Sequence, residues 1–112
     1  MSRIAALEAL LGEGGGNALL RYALGSEHFK AGDMAAAVHR LQQACELDPA
    51  HSASWKLLGK AELALGNPAG ARAAWTQGIA TAVHRGDRQA EKEMQVFLRR
   101  LDAGRGTTTE SR

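Results

Sequence analysis

The sequence predicts an all-α fold of about six helices arranged as helix-turn-helix pairs, and three observations carry that expectation. Only 4% of the 112 residues are aromatic and only 2 are proline. Alanine and leucine dominate the apolar set, a mixture that favours helices and leaves sheets short of β-branched and aromatic side chains. Second, a glycine followed by a short polar residue recurs as Gly32-Asp33, Gly66-Asn67 and Gly86-Asp87. Glycine takes the left-handed conformation just past a helix C-terminus, and Asp or Asn then caps the exposed N–H groups of the next helix. Third, the apolar residues between these marks keep helical spacing, as in Ala37, Leu41, Ala44 and Cys45, and in Ala71, Trp75, Gly78, Ile79 and Ala82.

Each element follows from those signals. The first helix runs from Arg3 to Leu11 and ends in the glycine-rich joint "GEGGGN", whose Asn17 caps a second helix from Ala18 to Ala31. A third spans Met34 to Leu47, and "DPAHS" separates it from a fourth, Ala53 to Leu65. Pro68 opens the fifth at the first helical position, where its missing N–H costs nothing, and that helix continues to Arg85. The sixth covers Arg88 to Leu101. Its Ala90, Met94, Phe97, Leu98 and Leu101 form one apolar stripe, with Arg88, Glu91, Lys92, Gln95 and Arg99 on the other side. The closing "AGRGTTTESR" has no apolar residues to pack and is expected to be disordered.

Composition bounds the function. Lys and Arg number 14 against 12 Asp and Glu, a formal charge of +2 that does not by itself announce a nucleic-acid or membrane partner. The single Cys45 forms no internal disulfide, the N-terminus lacks the apolar core and cleavage site of a signal peptide, and no apolar run is long enough to cross a bilayer. A cytoplasmic protein is expected. His39 and Cys45 are six apart on one helix, about 120° around its axis, so they do not face each other as a base and a nucleophile must. His28, His51 and His84 lie in separate elements without paired ligand spacing, so neither a metal nor any cofactor is expected. "GEGGGN" lacks the Lys and Ser or Thr of a phosphate loop and is not preceded by a strand. Arg85, Arg88, Arg99, Arg100 and Arg105 gather near the C-terminus, but Glu91, Glu93 and Asp102 are interleaved with them. A solvated helix face explains them better than phosphate contacts do.

A shift of 34 residues lays Leu24 on Leu58, Gly25 on Gly59, Gly32 on Gly66, Ala35 on Ala69, Ala37 on Ala71 and Gln43 on Gln77. The period, with Leu24-Gly25, Phe29, Gly32, Ala37, Leu41, Ala44 and Pro49, and a second copy in Trp55, Leu58-Gly59, Gly66, Ala71 and Trp75, resembles the tetratricopeptide repeat. Arg21 stands where that family often has Trp, His28 and Glu62 where it often has Tyr, and Val83 where a repeat-ending Pro is expected. The resemblance implies a right-handed solenoid fragment. In it residues 1–17 are an N-terminal helix and joint, 18–51 and 52–85 two repeats, 86–103 a C-terminal capping helix, and 104–112 the tail. Gly25 and Gly59 then mark points where paired helices cross too closely for a side chain.

The resemblance also implies a non-catalytic protein-interaction adaptor, which binds a peptide or helix of a partner in the groove lined by the first helix of each repeat. Carried over by position, that groove displays Leu19, Tyr22, Ser26, Phe29 and Lys30 from the first repeat, and Ala53, Lys56, Lys60, Leu63 and Ala64 from the second. The lysines make an acidic protein or peptide the expected partner. The clamp by which some members hold chaperone C-termini is absent, since Tyr22 and Ser26 occupy the places of its Lys and Asn. Two other classes stay open: a structural subunit that forms a homo-oligomer, and a nucleic-acid accessory factor acting through the C-terminal arginines.

Overall fold

A computed structural model describes residues 2–12 and 17–110, with side chains up to Gly104. The described residues form α1 (Arg3–Gly12), α2 (Ala18–Lys30), α3 (Met34–Leu47), α4 (Ser52–Ala64), α5 (Pro68–Arg85) and α6 (Arg88–Glu110). Local chemistry sets these boundaries. Side-chain oxygens of Asn17, Asp33, Asn67 and Asp87 accept from the amides of Leu20, Ala36, Gly70 and Ala90, each satisfying a first-turn N–H that has no partner within its own helix. Gly32, Gly66 and Gly86 take φ of 85°, 91° and 76°, the left-handed conformation that lets the chain reverse.

α4 starts differently. His51 precedes it without a side-chain cap; its Nδ1 lies 2.7 Å from Ser54 Oγ instead. Ser52 Oγ donates to Asp87 Oδ2 at 2.9 Å, so the start of α4 is tied to the cap of α6, and the helix begins one residue before the expected Ala53.

One sequence expectation is corrected at the C-terminus. The tail read as disordered is helical through Glu110, with residues 111–112 outside the described ones. No proline interrupts it, and extending an existing helix adds a hydrogen bond per residue without a new nucleation cost. Of the glycine-rich joint, Gly12 belongs to α1, while residues 13–16 lie outside the described ones.

Helices pack as successive antiparallel neighbours, α2 on α3, α3 on α4, α4 on α5 and α5 on α6, while α2, α4 and α6 also touch in series. With dimensions of 52 × 32 × 18 Å, the molecule is two helix layers thick: α2, α4 and α6 form the inner layer, α3 and α5 the outer. One buried cluster joins Ala37, Val38, Leu41 and Cys45 of α3 to Leu58 and Ala61 of α4 and Ala74 of α5. A second joins Ala71, Trp75 and Ala82 of α5 to Ala90 and Met94 of α6, with Phe97, Leu98 and Leu101 packed at its edge. The stripe read from the sequence of α6 thus faces α5. At the other end α1 lies on α2, held by Arg3 to Glu27 at 3.1 Å and by Glu8 to Arg40 of α3 at 2.7 Å. Ile4, Leu7 and Leu11 are partly covered there and Leu10 is exposed.

The two glycines of the repeat sit where helices cross. A Cβ on Gly25 would lie 2.5 Å from Leu41 Cγ, and one on Gly59 would lie 2.1 Å from the Trp75 indole nitrogen. Because Gly59 has no side chain, that nitrogen reaches the backbone and donates to the Lys56 carbonyl at 3.1 Å. Leu41 and Trp75 are both fully or almost fully buried, so neither has room to retreat.

Gly59→Leu is therefore expected to raise local helix propensity yet lower stability by more than about 1 kcal/mol, the usual scale of overpacking. A thermal melt should show a fall of at least about 4 °C, and an unchanged or raised midpoint contradicts the close crossing. A second expectation concerns acid. The Asp87 carboxyl is held below its ordinary range, first by the Ala90 amide and then by the Ser52 hydroxyl. A carboxyl whose pKa is lower in the folded than in the unfolded state stabilises the fold above the unfolded value, and that stabilisation is lost as pH falls through the folded one. Loss is thus confined to below about pH 4. Asp87→Asn, which keeps a capping oxygen but no charge, is expected to show a shallower decline in melting temperature between about pH 5 and pH 2. Parallel acid limbs in the two proteins would remove Asp87 as the source.

Candidate functional site

The inner layer brings together part of the residue set expected from the sequence. On α2, Leu19 is 65% exposed and Leu63 of α4 is 43% exposed, and Leu10, Leu47 and Leu65 are likewise exposed elsewhere on the surface. Tyr22 is half-buried against the first core cluster, and its ring meets His51 edge to face at 5.0 Å and 83°. It therefore packs toward the start of α4. Phe29 also leans on that cluster, and Ser26 is partly covered. Lys30 is exposed and pairs at 3.3 Å with Glu27, one turn away on its own helix. Ala53 is partly covered and Ala64 exposed.

The two lysines of α4 both meet α6. Lys56 donates to Glu93 Oε1 at 2.5 Å, and the Glu93 carboxyl is lowered from its ordinary range by that bond first and by Gln89 second. Lys60 stands 5.6 Å from the centre of the Phe97 ring, a cation on an aromatic face. Among the described residues it has no carboxylate within ion-pair distance. Glu93 thus pairs with Lys56 and also feels the charge of Lys60, which stays exposed beside the Phe97 ring. In the sequence Phe97 belongs only to the packing stripe and Glu93 only to the acids of a solvated face. Their spacing of four residues, which stacks side chains on one helix face, was the signal that both could meet α4.

Other chemistry-bearing residues serve the fold. Burial pushes the Cys45 thiol up to about 12, with the charge of Glu46 adding to it, so the nucleophilic thiolate is not formed at neutral pH. His39 is exposed on α3, and His28 lies 3.7 Å from Glu8. Among the described residues no group of three or more His, Cys, Asp and Glu is disposed to hold a metal ion. None of the described helices is long and apolar enough to cross a membrane. Arg85 donates to the Ala50 carbonyl at 2.6 Å, in the same turn where Trp55 Nε1 and Thr81 Oγ1 donate to the Pro49 carbonyl at 2.9 and 3.1 Å. That guanidinium locks a turn. Asp102 pairs with Arg72, and Arg88, Arg99 and Arg100 are exposed.

Known proteins share this architecture. A family model described as tetratricopeptide repeat matches residues 22–83. The chain is 57% identical over 102 residues to TPR repeat-containing protein PA0015 of Pseudomonas aeruginosa, covering 91% of this chain and 97% of that one. It is also similar to the solution structure of protein BPP2914 from Bordetella parapertussis, with a TM-score of 0.80, 44% identity, and coverage of 93% and 90% of the two chains. The match over both helix-turn-helix units and the identity over nearly the whole length establish that the chain belongs to the tetratricopeptide repeat family, whose repeats serve protein–protein interaction.

Proposed function

We propose that the protein is a non-catalytic adaptor that binds an extended or helical segment of a partner along the inner face of α2, α4 and α6. The observation that carries this reading is Lys60, an exposed cation over Phe97 in the middle of that face with no ion-pair partner among the described residues. Exposed Leu63 lies one turn further along α4, where it offers an apolar contact, and half-buried Tyr22 contributes a ring with a polar tip. A partner segment with an acidic residue beside an apolar anchor fits this surface. Lys60 would steer and orient it, and the leucines and tyrosine would supply most of the affinity.

The Lys56–Glu93 pair has a different part. It fixes α6 beside α4 and so positions Phe97, and Lys30 shares its charge with Glu27. Recognition of an acidic group is therefore assigned mainly to Lys60, with Leu19, Tyr22, Ser26, Phe29 and Leu63 as the surrounding surface.

Selection of a random peptide library on the purified protein tests this. Enrichment of acidic peptides is expected, with amide shifts on binding at Tyr22, Ser26, Lys60 and Leu63. Lys60→Glu should weaken those peptides by roughly tenfold without loss of helicity, since one charge-assisted contact is turned into a repulsion. Peptides that bind the variant as well as the wild type would refute the assignment.

A further inference from the structure

The outer layer holds a second concavity with the opposite charge. Between α3 and α5, over α4, opens a cleft of about 540 Å³ floored by Trp55 and Leu58 and walled by Glu46, Glu62, Gly70 and Gln77 among others. Trp55, Leu58 and Glu62 are turned about 120° around α4 from Lys56, Lys60 and Leu63. The cleft is thus separate from the inner face.

Glu62 is the unusual residue in it. Only 7% of its surface is exposed, yet its sole described donor is Asn67 Nδ2, which reaches Oε1 at 3.1 Å. Its second oxygen lies across Gly70, where a Cβ would come within 2.9 Å of it. A residue with a side chain at position 70 would push the carboxylate away; glycine leaves it lying at the wall of the cleft. A carboxylate offers about four acceptor sites, and most of them here are unfilled by the protein. Among the described residues neither Glu62 nor Glu46 makes an ion pair and no Lys or Arg lines the cleft, in a chain whose overall charge is +2.

We propose that this cleft holds an arginine side chain presented by a protein segment, as a site distinct from the inner groove. The guanidinium stacks against the Trp55 indole and donates to the carboxylates of Glu62 and Glu46, while the apolar part of its stem lies on Leu58. Arginine suits the place better than lysine because its planar, weakly hydrated fork both stacks on an aromatic ring and donates in parallel to carboxylates. The volume accommodates one such side chain and parts of its flanking residues.

The test is a nuclear magnetic resonance titration of the full chain with two capped peptides, acetyl-Leu-Arg-Leu-amide and its Leu-Gln-Leu counterpart. Saturable amide shifts at Glu46, Trp55, Gly70 and Gln77 are expected with the arginine peptide and not with the other. Glu46→Gln and Glu62→Gln should each weaken it by at least roughly threefold. Glu46 is exposed, and Gln at position 62 keeps an oxygen for Asn67, so circular dichroism should show both variants folded. Equal binding of the two peptides, shifts confined to the inner face, or affinity unchanged in both folded variants would each overturn the proposal.

Discussion

One close approach organises the molecule: the Trp75 indole of α5 enters the gap left by Gly59 in α4 and donates to the Lys56 carbonyl. Glycine within a helix costs about 1 kcal/mol relative to alanine. A buried hydrogen bond returns about that much, and burying an indole of some 150–250 Å² adds on the order of 4 kcal/mol. Packing therefore outweighs propensity at this point. The consequence reaches the inner face, because the centre of the same indole lies 5.2 Å from that of the Phe97 ring. Trp75 thus sets the distance from α4 to α5 and from α5 to α6, and Phe97 in turn sits beneath Lys60.

The same device recurs along the chain with different partners. Leu41 fills the gap at Gly25, and Met94 fills one at Gly78, where a Cβ would also meet Trp55 Cβ at 2.7 Å. Small residues on one helix and large ones on the next interlock from α2 to α6, which gives a short solenoid a continuous interior. Between its two helix pairs the connection at residues 48–51 is held by Trp55, Thr81 and Arg85 through its own carbonyl groups, so the turn is not a free hinge. Rigidity of this kind lowers the ordering cost when a partner binds.

Much of the fold was legible because its signals are local. Asn17, Asp33, Asn67 and Asp87 each lie three residues before the amide they cap, and Gly25 and Gly59 announce their crossings by recurring at one period. The candidate surface was only half legible, because its electrostatics are long-range in sequence. Lys56 and Glu93 are 37 residues apart, and Arg85 and Ala50 are 35 apart, in segments that repeat logic treats as independent. Lys56, expected to face a partner, also pairs with Glu93 of α6, and Arg85, expected on a solvated helix face, holds a turn. The extension of α6 past Leu101 was hidden for another reason: Gly104, Gly106 and the threonines weaken helix propensity without forbidding a helix already under way.

The measurement that bears most directly on this account is a double-mutant cycle between Gly59 and Trp75, read by urea unfolding. If Gly59 is glycine only to admit the indole, Gly59→Ala should destabilise the wild type but be neutral or stabilising beside Trp75→Ala, where propensity alone remains. The predicted coupling is above about 1 kcal/mol, within the range for residues in contact. Additive effects of the two substitutions would contradict the close approach on which the geometry of the inner face depends.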